Sequence, residues 1–554
     1  MSKVQKITSS STAEYFSKNL QQVGFSSPTK AVLTTLKEAV DNSLDACEDS
    51  DILPEIDVLI EKLQVGTRKN VDIIKIRVTD NGPGLAQEDL SKVYGEYLAS
   101  SKFGRGRCSR GQQGIGISAA TTWGQLTTAT GVRVITKTSK MKTAISALVE
   151  VDIKKNQGVI KDKSNVNWDR PHGTSVEFVI EGRMQLNGDG GILTYLSATS
   201  LSNPHLTLKY RINEEKPIVM DRVTDEIIGI PEAVPPHPHT MKLGEVISHA
   251  HLFGKSTLDT FLKKGFSRVS DQTISAMIKA GCKKGWFKEP LTSLDKAEVD
   301  KVYSSLQEVE LMPPSTRSVL RIGEEALSKS IQRLGEVDFF SVVSRKPKIA
   351  DFKPVVVEVG ISRLKTYSGE TDDSVTVLRF ANRVPLQFDK AACAIIKAIE
   401  SVNWKSYGIA QSKNSIPTGP YIIAVSVVSP FIKFKNASKE TIDASDELVE
   451  ELRLALMQAG QKLSRFIRSE RKAEDLEKKI RHIEQFGPVL IQTIGRITSA
   501  PPKRIKAAEE GLRKILGRDA SSAEAELAVA EEKRAQLEAK MAGTMGTDSL
   551  DFGK

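Results

Sequence analysis

The sequence predicts an α+β protein of several domains, and three observations predict it. Strand-like runs of alternating polarity share the chain with runs of helical period. A Pro/His-rich stretch, PEAVPPHPH at 231–239, breaks it after the first such block. From about residue 438 a long, charged helical pattern takes over. At roughly 100–200 residues per domain, 554 residues make about three or four domains. The boundaries fall at 1–228, 229–308, 309–470 and 471–554.

The elements follow in order. Residues 1–25 are polar with one apolar turn, and MSKVQKITSSSTAEYF carries no apolar core of a signal peptide. Ala31, Leu33, Leu36, Ala39, Val40 and Leu44 recur at helical spacing, predicting a helix over 26–50. Ile74, Ile76 and Val78 alternate within Val71–Thr79, a strand that ends at the turn signal Asp80-Asn81-Gly82-Pro83-Gly84. A glycine-spiked basic loop covers roughly 100–116, and strand-like runs follow at 132–136, 145–153 and 174–180. Residues 243–308 read as compact and helical, with lysines concentrated around 255–288. A second α/β block, about 312–435, holds strands at Pro354–Ile361, Ser374–Phe380 and Tyr421–Val428 and a helix near 389–400. The helical pattern from 438 is interrupted only by Gly460, and AEAELAVAEEKRAQLEAK reads as a further charged helix before a polar tail.

Bulk properties narrow the class. Hydrophobic residues make up 39% and charged residues 27%, which suits packed cores in water. No run reaches the ~18 apolar residues of a membrane span. Cys47, Cys108, Cys282 and Cys393 are far apart with no CxxC pair, which argues for a reducing compartment and against a disulfide framework or zinc site. A net charge of +10 is compatible with a polyanionic partner such as DNA without requiring one.

Four motifs carry candidate chemistry. Glu38, Asn42 and Asp45 lie at i, i+4 and i+7 of the first helix, one polar stripe on an otherwise apolar element. Such a stripe is a solvated face or one wall of a Mg·nucleotide site, where the Asn42 amide oxygen is a hard Mg²⁺ ligand and the Glu38 carboxylate can hold a water. Asp80 ends a strand beside Gly82 and Gly84. An aspartate there can accept the exocyclic amine of adenine, and the glycines let backbone approach the ligand. Ser109-Arg110-Gly111-Gln112-Gln113-Gly114-Ile115-Gly116 runs into the helix start Ile117-Ser118-Ala119-Ala120, the form of a phosphate cradle. Ser101, Lys102, Arg105 and Arg107 before it could fold over a triphosphate as a lid. His172-Gly173-Thr174 opens a strand, where the Thr174 hydroxyl can complete an adenine contact. Gly254-Lys255-Ser256 is not a P-loop, because position 249 is His where that motif needs Gly. His237, His239, His249 and His251 lack metal-site spacing and read as loop and helix-start histidines.

Each motif alone is weak, but the ordered set ExxxNxxDA, DxGxG, GxxGxG and GT resembles the ATP-binding domain shared by gyrase, Hsp90, MutL and sensor histidine kinases, the GHKL family. TLKEAVDNSLDACEDSDILPEI and SRGQQGIGISAA are similar to topoisomerase VI B subunits. So are Phe380-Ala381-Asn382-Arg383-Val384-Pro385-Leu386 and Gln411-Ser412-Lys413-Asn414-Ser415-Ile416-Pro417-Thr418-Gly419-Pro420. The chain departs from that pattern at Gln387-Phe388-Asp389-Lys390 and across SPFIKFKNASKETI.

The resemblance implies a GHKL (Bergerat) α/β ATPase domain with an N-terminal dimerisation segment and lid, a helix-two-turns-helix insert, a ribosomal S5 domain 2-like transducer and long C-terminal helices. It implies ATP and Mg²⁺ as cofactors. Glu38 would be general base or water orienter, and Asn42 the Mg²⁺ ligand. Asp80, Gly84 and Thr174 would lie at the base, and Ser101, Lys102, Arg110, Gly111, Gln112, Gln113, Gly114, Ile115, Gly116 and Ile117 around the phosphates. Lys413, with Gln411 beside it, would reach the γ-phosphate. It further implies an ATP-driven homodimer joined to a DNA-cleaving A subunit in an A2B2 heterotetramer that passes one double-stranded DNA through another, relaxing and decatenating. The location would be cytoplasmic in a prokaryote or nuclear in a eukaryote. The alternative is another GHKL clamp, a MutL-like repair protein or an Hsp90-like chaperone. A sensor kinase is disfavoured because too little chain precedes residue 38 for a phosphoacceptor helix bundle.

Overall fold

A computed structural model describes residues 10–66, 70–99, 108, 110–111, 114–229, 233–334, 337–364, 375–436, 438–514 and 516–517. The chain divides into two compact units, one of residues up to Asn403 with Ala410–Ala459, the other of Trp404–Ile409 with the chain from Gly460 onward.

The first unit begins with α1 (Thr12–Lys18) and α2 (Pro28–Asp49). The predicted helix over 26–50 forms because Ser27 accepts from the Lys30 amide as N-cap and Pro28 sits at the first helical position, where its missing N–H costs nothing. β1 (Glu55–Val65) and β2 (Asp72–Thr79) follow, then α3 (Leu90–Gly95), α4 (Gly116–Thr128), β3 (Val132–Lys137), β4 (Ala144–Asp152), β5 (Gln157–Val166), β6 (Gly173–Gly182), α5 (Ile192–Ser202), β7 (Thr207–Ile212) and β8 (Ile218–Met220). The eight strands make one sheet in the order β5-β4-β3-β6-β2-β1-β7-β8. All neighbours are antiparallel except β1 and β7. Along β2, Ile74, Ile76 and Val78 are buried while Arg77 between them is exposed, so the alternation read from sequence is the two-sidedness of this sheet. Buried residues of α2, α4 and α5 join those of the strands in one core. Burying an aliphatic side chain there contributes about 1.5–3 kcal/mol.

Four helices, α6 (Leu243–His251), α7 (Leu258–Gly265), α8 (Asp271–Lys279) and α9 (Lys296–Glu308), enclose a small core of their own around Phe261, Leu262, Phe266, Met277 and Leu306. Beyond them come α10 (Glu324–Ile331), β9 (Val337–Ser344), β10 (Lys348–Ala350), β11 (Lys353–Leu364), β12 (Thr376–Ala381), β13 (Val384–Leu386), α11 (Ala394–Ser401) and β14 (Tyr421–Val428). They build a second sheet, β10-β11-β14-β12-β13, with β9 paired to β11.

The last element, α12 (Asp446–Ile497), starts later than the helical pattern suggests. Residues 434–442 instead close a loop on themselves: Phe434 bridges Ile442, and the Lys435 amide donates to the Thr441 carbonyl. Pro488 lies inside α12, which continues through it. The predicted helix over 523–540 and the basic loop up to 107 lie outside the described residues.

Candidate active site

One cavity in the first unit gathers residues from α2, the β2 end, the glycine loop, α4, β6 and the loop after β14. From α2 it takes Glu38, Ala39, Asn42, Ser43, Ala46 and Asp49, a stripe at helical spacing. Two of the predicted trio, Glu38 and Asn42, therefore face the cavity. Asp45 does not line it and meets Arg110 instead. A Cβ on Gly116 would come within 2.1 Å of the Glu38 carboxylate, so that carboxylate rests directly on the backbone where α4 begins. A helix start carries unpaired N–H groups and a partial positive charge, which puts an anion-favouring end beside Glu38.

Asp80 forms the floor and is buried. Its Oδ1 accepts from the Gly82 amide at 2.9 Å and the Thr174 amide at 3.0 Å, and its Oδ2 from the Ser43 hydroxyl at 2.8 Å. Burial pushes its carboxyl above the usual range, while the bonds from Gly82, Ser43 and Thr174 pull the other way. Gly84 lines the cavity at φ +75°, and a side chain there would meet the Lys137 carbonyl at 2.1 Å, so the turn requires glycine. Thr174, Leu85, Val93, Tyr94 and Val176 complete a largely apolar wall with a few aimed polar groups, the form of a pocket for a flat base.

Gly111, Gly114, Ile115, Gly116 and Ile117 line the opposite side at the start of α4. Arg110 does not. Its guanidinium is buried and donates to Asp45 at 2.8 Å and to both oxygens of Glu48 at 2.9 and 2.7 Å, so its side chain is committed to an internal ion cluster. Ser101, Lys102, Gln112 and Gln113 lie outside the described residues.

The cation that the second α/β block lends to this cavity is Lys439, which the sequence reading missed. Its ammonium donates to the Arg110 carbonyl at 2.9 Å. Lys439 takes a left-handed φ of +54° in the closed loop 434–442, and Glu440 next to it pairs with Lys30 of α2 at 2.9 Å, fixing the loop on that helix. Lys413 is exposed and is not among the lining residues. Gln411 donates to the carbonyls of Val402 and Ser415, shaping its own loop. The sequence assigns the role to Lys413 alone; the closed loop brings Lys439 to the cavity, and its signal is the turn-prone Asn436-Ala437-Ser438 before Lys439.

Among the described residues no group of three His, Cys, Asp or Glu is placed to hold a metal. The donor set at Glu38 and Asn42 suits a Mg²⁺ that a nucleotide would carry in, since that ion is held by one or two protein oxygens plus phosphates and waters.

Comparison with known proteins fits this geometry. Residues 30–174 match the family described as "Histidine kinase-, DNA gyrase B-, and HSP90-like ATPase". Residues 314–479 match "Topoisomerase VI B subunit, transducer". The type 2 DNA topoisomerase 6 B subunit of Archaeoglobus fulgidus is 36% identical over 501 residues, covering 89% of this chain and 80% of the relative. That of Pyrococcus horikoshii is 30% identical over 541 residues, covering 90% and 93%. Among solved structures, the ATPase region of Saccharomyces cerevisiae topoisomerase II bound to ICRF-187 overlaps 84% of this chain and 98% of its own at a TM-score of 0.40 and 11% identity, too loose a likeness to argue from.

Proposed function

Because the chain belongs to the type 2 DNA topoisomerase 6 B-subunit family, we propose that its cavity grips ATP from two sides and that hydrolysis there times the opening and closing of a two-chain clamp on DNA. It is the ATPase subunit of a type II DNA topoisomerase. The observation that carries the two-sided grip is the convergence of Asp80, Glu38, the start of α4 and Lys439 on one cavity.

In this reading Asp80 accepts the adenine amine, and Thr174 and Gly84 keep the base in its slot. Backbone amides at Gly114–Ile117 and the positive end of α4 take the phosphates. Glu38, pressed against that helix end, orients the attacking water and accepts its proton. Asn42 would hold Mg²⁺, which when bound offsets the charge of the phosphates. Lys439 moves from the Arg110 carbonyl toward the γ-phosphate, because an ammonium gains more from a dense anion than from a neutral acceptor. Lys413 is the competing cation for this role. Two such chains would close on ATP, joined to a DNA-cleaving A subunit in an A2B2 assembly on double-stranded DNA. No helix among the described residues is long and apolar enough to cross a membrane.

The test is Asp80→Asn beside Glu38→Gln. Asp80→Asn is expected to lose ATP binding by calorimetry. Glu38→Gln is expected to bind ATP normally and hydrolyse it at least ~100-fold more slowly. Unchanged ATP affinity in the first would remove the base contact from the mechanism.

A further inference from the structure

The stem of the glycine loop is fastened to the second α/β block at three points, and the first two lie away from the cavity lining. The first is ionic. Glu48, in the last turn of α2 and 4% exposed, is shared between two arginines. Arg110 of the loop stem donates to both its oxygens, and Arg383 of the β12–β13 turn does the same at 3.0 and 2.8 Å. His205 adds a third contact at 2.8 Å, and Asn203 accepts from Arg110 at 2.5 Å. The second point is apolar: Cys108, two residues before Arg110, packs with Val319, Val356 and Val428 of the second block, and its thiol donates to the Ser318 carbonyl at 3.4 Å. The third is the Lys439 bond to the Arg110 carbonyl.

Arg383 cannot easily withdraw. Asn382 and Arg383 both sit at left-handed φ, +49° and +67°, in the tight turn joining β12 to β13. Asn382 is tied to Ser429 by two bonds of 2.9 Å, and the Arg383 carbonyl accepts from the Ser202 hydroxyl at 2.7 Å. Burial opposes the ionisation of Glu48, yet Arg110 and Arg383 hold its carboxyl well below the usual range. A buried cluster of this kind adds little net stability over an apolar core, but removing one partner leaves a charge uncompensated. Its yield is geometry: it admits one arrangement of three chain segments.

We propose that Arg383 is a positioning residue for ATP hydrolysis: through Glu48 it fixes Arg110, and so sets the glycine loop and the start of α4 on the phosphates. The coupling runs both ways. A loop drawn onto a triphosphate pulls on Arg110, and the β12–β13 turn follows; when the phosphate leaves, the stem relaxes and the turn returns. The ion cluster is thus a second link between the nucleotide and the second block, separate from Lys439. It rests on the reading of the cavity as an ATP site.

The experiment compares Arg383→Gln, Arg383→Lys and the neutral pair Glu48→Gln/Arg383→Gln with the wild-type full chain, measuring binding of a non-hydrolysable ATP analogue, KM, kcat and thermal unfolding. For Arg383→Gln, kcat is expected to fall ~10–100-fold, as for a loop misplaced by a fraction of an ångström. Analogue affinity is expected to stay within about threefold, the signature of an interaction used after binding. The neutral pair should recover folding stability but not kcat, whereas a merely structural role would restore both together. Arg383→Lys, which keeps the charge but loses the two-pronged contact, should show the same kcat loss while folding normally, and it decides the matter if Arg383→Gln does not fold. Normal kcat in folded Arg383→Lys, or kcat restored in the neutral pair, overturns the proposal. Failure of the wild-type chain to bind ATP would instead overturn the nucleotide reading.

Discussion

Replacing Lys439 with alanine removes the only described lysine of the second α/β block that lines the cavity. If its ammonium moves to the γ-phosphate, Lys439→Ala should bind ATP yet hydrolyse it on the order of 100-fold more slowly, while Lys413→Ala keeps near-normal turnover. Single-turnover kinetics on both variants separate the two; the reverse ranking would return the role to Lys413. A second residue-scale outcome concerns Asp41, one turn past Glu38 and buried. Burial pushes its carboxyl up to about 7, against the pull of Lys37. The folded chain therefore keeps a proton that the unfolded chain releases near pH ~4. Stability on this account is full below ~4, falls as pH rises toward about 7, and levels off beyond. Asp41→Asn should flatten that fall, gaining on the order of 2–4 kcal/mol over the wild type at pH 8 relative to pH 4. Urea melts at the two pH values measure it, and an unchanged difference between them would count against it.

At the scale of elements, local rules went far where local rules decide. β14 spans the predicted run Tyr421–Val428, and β2, β6 and β11 fall on the runs that predict them. α2 begins and ends where Ser27 and the turn at Ser50–Asp51 say it must. β1 and β5 went unread: β1 mixes Glu, Asp and Lys into its alternation, and β5 is mostly exposed, so neither shows a clean apolar face. The first-domain residues that line the cavity could be named from sequence, because α2, the β2 turn and the glycine loop are each a motif within one or two elements. The commitment of the Arg110 side chain to an ion cluster escapes the sequence for a reason of range. Its partner Glu48 stands 62 positions away and is itself shared with the still more distant Arg383, and spacing carries no trace of such pairing. Lys439 hid for another: its loop falls in a segment that departs from the family pattern and precedes a helical run, whose period drew the helix boundary too early.

For the whole molecule, the division of labour with a cleaving subunit makes a definite claim. The chain alone should hydrolyse ATP and leave supercoiled DNA unchanged. Mixed with an A subunit of the same family, it should relax that DNA only with ATP and Mg²⁺. A covalent DNA adduct on this chain, or relaxation without the partner, would end that claim. Its net charge of +10 adds a condition: DNA stimulation of the ATPase should fall steeply as salt rises, in proportion to the number of phosphates engaged.

The bonding of Asp80 reaches further than the floor of a cavity. Three neighbours already occupy most of what its two oxygens can accept, and a carboxylate offers about four such places. The vacancy that remains takes an incoming hydrogen and repels an incoming oxygen. Under the proposed adenine contact, purine triphosphates should sort by that rule: a 6-amino ring fits, while the 6-oxo rings of GTP and ITP would turn a lone pair toward a lone pair. Turnover with either should trail ATP by on the order of 10³–10⁵-fold in kcat/KM, as a side-by-side phosphate-release assay would register.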